Sequence, residues 1–99
     1  MIVRLSSAAP PELTDVGRLD RLSAVCPDSL DTMLFDDLCM PGPDADHVWL
    51  SVRELRQRGA VQSDDRSFVA AFDGMIAFAG SKGWLNDDGS CVRAHVEAG

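Results

Sequence analysis

Between Arg66 and Lys82 the chain runs SFVAAFDGMIAFAGS, with Asp73 as its only charge. Phe68, Phe72, Met75, Ile76 and Ala79 recur at helical spacing, Val69 flanks that stripe on one side, and Ala71 and Phe78 widen it on the other. The pattern predicts a helix over 64–82 whose apolar surface is covered by the rest of the fold. Ser63 is the expected N-cap, Asp64 and Asp65 suit the positive end of the helix dipole, and Gly83 follows Lys82 as the expected stop. Ala70, Gly74, Ala77 and Ser81 fall on the opposite face. Small side chains there would let a second backbone approach, including one from another copy of the chain.

The rest of the chain reads mostly as helix. Pro11 and Glu12 suit a helix start, and Leu13, Val16, Leu19 and Leu22 follow, so a helix is expected over 11–25. Asp28 would cap a second, over 28–40, with Leu30, Met33, Leu34 and Leu38 as its stripe. Asp37 falls within that stripe. Pro41-Gly42-Pro43 breaks the chain, and Asp44 would cap a third helix over 44–58, with Val48, Val52 and Leu55 on one face and Gly59 as its stop.

Strand signals are confined to the ends. Met1–Leu5 is short and β-branched, an expected edge strand. Val92, Ala94 and Val96 alternate with Arg93, His95 and Glu97 after an Asp88-Gly89 turn, so the tail reads as a half-buried strand, with Trp84-Leu85, the N-terminal strand or neither as partner. The expected fold is therefore mainly α. It is a single domain over 1–99, with four helices, the last of them central, and at most a terminal hairpin or two-stranded sheet.

A chain of 99 residues with 45% hydrophobic content can bury one core unaided. Its net charge is −7, and residues 27–52 hold Asp28, Asp31, Asp36, Asp37, Asp44 and Asp46 with no basic residue. Arg53, Arg56 and Arg58 follow at once. The overall sign opposes nucleic-acid binding, which needs a positive footprint. Cys26, Cys39 and Cys91 cannot all pair with one another, and no CxxC occurs, so reduced thiols in a cytoplasmic protein are expected. Arg4 interrupts any secretion signal in the first residues, and no run is long enough for a membrane span.

Short motifs add little. Asp28-Ser29-Leu30 resembles the DSL motif of acyl carrier proteins, whose serine carries phosphopantetheine, but the flanking Pro27 and Pro41 do not fit it. The Asn86–Ser90 loop lacks the acidic first and twelfth positions of a calcium-binding EF-hand. No cofactor loop or metal-ligand spacing occurs. Cys91 and His95 are the minimum for a thiol enzyme, but on a strand they lie about 13 Å apart. The run from the fourth helix into the tail looks like the helix-then-wing end of a winged-helix DNA-binding domain.

The leading expectation is a non-enzymatic helical module that contacts another protein. Its candidate patch is Arg53, Arg56 and Arg58 against Asp36, Asp37, Asp44 and Asp46, where opposed charge would steer a partner. The winged-helix regulator and the thiol enzyme are the alternatives. Trp49 and Trp84 are candidate interface anchors.

Overall fold

The computed structural model describes residues 1–98 and shows a six-stranded mixed sheet curling into a half-barrel, with two α-helices. The four-helix architecture is overturned. The strands are β1 (Ile2–Arg4), β2 (Glu12–Thr14), β3 (Ser23–Cys26), β4 (Cys39–Pro41), β5 (His47–Ser51) and β6 (Cys91–Ala98). The helices are α1 (Val52–Gln62) and α2 (Phe68–Ser81). Across the sheet the order is β2-β1-β3-β6-β5-β4; β3 runs parallel to both β1 and β6, and the other pairs are antiparallel.

The expected helix over 11–25 is two strands and a turn. Asp15 adopts a left-handed conformation with φ 51°, and the Arg18 N–H donates to its carbonyl at 3.0 Å. A three-residue recurrence of leucine drifts off any single helical face, whereas Leu13 opposite Val3, and Ala24 between Val3 and Val96, each gain a buried cross-strand partner. Over 28–40 only one 3₁₀ turn forms, Leu30–Thr32. Leu34 is 44% exposed and breaks the expected stripe, Leu38 and Cys39 are fully buried at the start of β4, and Asp37 is exposed.

The third expected helix begins later than Asp44. His47-Val48-Trp49-Leu50-Ser51 alternates partly exposed with buried residues, a half-buried strand. Ser51 then caps α1, its hydroxyl accepting from the Glu54 N–H at 3.2 Å. Ser51-Val52-Arg53-Glu54 is thus a capping-box sequence. Gly59 is not the stop: α1 runs through it to Gln62, and Ser63, expected to start the next helix, ends this one by donating to the Gly59 carbonyl.

α2 is the expected helix, starting at Ser67 rather than Ser63. Phe68, Phe72 and Ala79 are buried and Met75 and Ile76 partly so, as the stripe requires. It is not central, however. Ala70, Ala71, Gly74, Ala77 and Ser81 are exposed, and so is Phe78. Gly83, at φ +77°, closes it in a conformation that costs glycine little.

The tail strand and the N-terminal strand both form, but neither sits at an edge. β6 lies between β3 and β5, and β1 between β2 and β3. Trp84-Leu85 does pair with the tail, through a single bridge from Leu85 to Val92. Val3, Ala24, Val48, Leu50, Val92 and Ala94 join Leu55 of α1 and Phe68 and Phe72 of α2 in one buried cluster. Full burial of a side chain such as Phe72 contributes about 1.5–3 kcal/mol.

Candidate functional site

Strand alternation places His47 and Trp49 of β5 and Arg93 and His95 of β6 on the face opposite that cluster. His47 and His95 are direct cross-strand partners, their rings edge to face with centroids 5.5 Å apart. β6 has two successive partners on its other side. Leu85 bridges Val92, and β3 joins only from His95 onward. The 19–22 segment leading into β3 and the 82–84 segment leading into Leu85 both leave the sheet at this handover.

A cavity of about 570 Å³ lies there. Leu19, Asp20, Arg21 and Leu22 form one wall, and Met75, Ile76, Phe78 and Ala79 of α2 another, with Trp84 beside them. Val92 borders it from one face of β6, and Arg93 and His95, with His47, from the other. It therefore cuts across the strand edge, apolar on the α2 side and polar on the β5–β6 side. Phe78 and Trp84, 55% and 38% exposed, stack edge to face at 5.9 Å on its rim. The Lys82 ammonium lies 5.4 Å from the Phe78 ring centre.

The polar side has a defined charge pattern. Asp20 is held by Arg18 at 3.3 Å, and Arg21 by Glu97 at 3.3 Å. Arg93 has no carboxylate within ion-pair distance among the described residues. Asp44 accepts from His47 Nδ1 at 2.9 Å. A carboxylate only accepts, so Nδ1 carries the proton and Nε2 is the free nitrogen. That hydrogen bond, joined by the Asp46 backbone N–H, holds the Asp44 carboxyl below its ordinary range.

The charged residues expected to form a patch take several partners. Arg56 pairs with Asp73 at 3.1 Å, and Arg58 pairs with Glu54 at 2.9 Å and Asp36 at 3.6 Å. Arg53 and Asp37 are exposed. Asp44 and Asp46 lie in the β4–β5 hairpin and border a second hollow of about 760 Å³, with Asp28, Asp31 and Glu97. Arg58 and Asp36 thus partly neutralise each other, and the helical protein-contact module falls with the six-stranded sheet. The winged-helix alternative falls with the sheet: residues 47–51, expected in its third helix, are an interior strand. The thiol alternative falls with β6, an extended strand that holds Cys91 and His95 apart, with Cys91 buried. Ser29 caps the 3₁₀ turn, its hydroxyl accepting from the Asp31 N–H at 3.3 Å.

Of the cavity residues, only His95 and Trp84 stood out in the sequence as functional candidates, each for a different role; the others it marked were stripe or strand residues. Arg21, His47 and Arg93 carry no local motif, because the wall is assembled from five separated stretches of chain. Among the described residues no cluster of three or more His, Cys, Asp or Glu is placed to hold a metal ion, and no helix is long and apolar enough to cross a membrane. Comparison with protein-family models, with curated proteins and with solved structures finds no match.

Proposed function

We propose that this chain is a small-molecule-binding domain whose ligand enters the cavity between α2 and the strand handover on β6. The observation that carries this is the cavity itself. At about 570 Å³ it falls within the range of ligand pockets, roughly 300–1,000 Å³, and it joins an apolar wall to a few convergent polar groups, as such pockets do. The apolar part of the ligand rests on Leu22, Met75, Ile76 and Ala79, and the Phe78–Trp84 pair supplies aromatic surface at the mouth. On this reading residues 1–99 act as one unit. Three unpaired, buried cysteines support a reducing, cytoplasmic setting.

Fragment titration followed by NMR tests the proposal. Apolar and aromatic fragments at millimolar concentration should shift the Met75 and Ile76 methyls and the Trp84 indole N–H together. Shifts confined to other surfaces, or absent, would refute it.

A further inference from the structure

We infer that the ligand is an organic monoanion, a carboxylate on a compact apolar body, whose charged group is held by Arg93 beside the His47–His95 pair. This rests on the ligand site proposed above and names the chemistry it selects.

The protein as a whole repels anions, with a net charge of −7. The polar side of the cavity departs from that balance. It holds two arginines against one aspartate, together with both histidines of the chain. Arg18 already neutralises Asp20, and Glu97 engages Arg21. Arg93 remains, half-buried and with no carboxylate within ion-pair distance among the described residues, the Asp44 charge acting on it only from farther off. Its guanidinium can fork onto both oxygens of a carboxylate, in surroundings where a charged hydrogen bond is worth more than in open water. His47 has its Nδ1 committed to Asp44, which leaves Nε2 as the group it can offer a ligand.

The same features limit the charge and size of the ligand. One uncommitted guanidinium matches one negative group, and the surrounding −7 opposes a polyanion. Met75, Ile76 and Ala79 offer nothing to a second charged end, and Lys82, the cation at the end of α2, lies against the Phe78 ring. An apolar body lying on Met75 and Ile76, with its carboxylate toward β6, satisfies both walls at once.

The experiment compares two probes that share a ring system, 2-naphthoate and 2-naphthalenemethanol, titrated into the full chain and followed by NMR. Wild type should bind the carboxylate roughly 10- to 100-fold more tightly than the alcohol, as loss of a charge-assisted hydrogen bond implies. Arg93→Gln should collapse that preference by weakening the carboxylate far more than the alcohol, and Arg93→Lys should restore part of it. Arg53→Gln, at an exposed arginine that does not line the cavity, should leave it unchanged. Equal binding of the two probes at the cavity, insensitive to Arg93, would overturn the anion assignment and leave the binding site standing. Failure of both probes to shift any cavity residue would overturn the site and this inference together. Circular dichroism of each variant checks that the fold is intact.

Discussion

Replacing Gly59 with alanine should destabilise the protein, although Gly59 lies inside α1, where helix propensity alone favours alanine by about 1 kcal/mol. An alanine Cβ there would sit 2.3 Å from Cζ of Phe68, with Cε2 at 3.0 Å and Cε1 at 3.2 Å. Carbon atoms pack at about 3.5–4.0 Å, so the ring must retreat by more than 1 Å. It has little room. Phe68 is 4% exposed and stacks on Phe72, which is fully buried, with ring centres 5.8 Å apart. Overpacking of this kind costs about 1–3 kcal/mol, and the confined ring places Gly59 in the upper part of that range. The net loss is about 1 kcal/mol or more, a fall of about 4–8 °C in Tm for each kcal/mol in a domain of this size.

Gly74 supplies the control. It lies inside α2 with nothing within 4 Å of where a Cβ would go, so Gly74→Ala should gain about 1 kcal/mol and raise Tm by a similar amount. Thermal unfolding of both variants, by calorimetry and far-ultraviolet circular dichroism, measures the contrast. Phe68→Leu shortens the opposing side chain, so in that background Gly59→Ala should lose much of its penalty, a coupling that a double-mutant cycle reads directly. If Gly59→Ala raises Tm as far as Gly74→Ala does, the α1–α2 contact is loose and the packing argument is wrong.

Two titrations give independent checks. Burial pushes the Cys39 thiol up to about 12 from the ordinary 9.0, with the nearby Asp36 charge adding to it. The folded state thus favours the neutral thiol, a contribution that is complete below about 9 and declines as pH rises toward about 12. Iodoacetamide should therefore modify Cys39 only as fast as the protein unfolds, and labelling at the rate of an unstructured peptide would contradict its burial. Asp44 is depressed first by its bond from His47, so its stabilising effect is present above the ordinary carboxylate value of 3.8 and is lost as pH falls through the lowered one. His47→Ala should move the Asp44 carboxyl carbon titration back toward 3.8, though not fully, because the Asp46 N–H still donates. An unchanged curve would mean that the His47–Asp44 bond does not persist in solution.

The missed strands were partly visible. Val48-Trp49-Leu50 is a short apolar run that suits a strand, and Ser51 with Glu54 spells a helix start, but Val48, Val52 and Leu55 also fit one helical face. Short apolar runs satisfy both periods, and the choice between them is made by neighbours. For β5 those neighbours are β4 and β6, and β6 lies beyond both helices. The pairing of the α1 arginines has a similar origin. Arg56 meets Asp73, and Arg58 meets Asp36, only because α1 packs beside α2 and the segment before β4.

Local physics carried α2, its glycine stop and the alternating tail, because helical stripes, left-handed caps and period-two patterns are written within a few residues of one another. Tertiary structure decided the sheet, since the pairing of β3 with β1 and β6 joins segments far apart in the chain, and cross-strand contact rather than intrinsic preference stabilises a strand. It also decided the cavity. Arg93 and the two histidines gain their shared setting only where Leu85 and β3 succeed each other along β6.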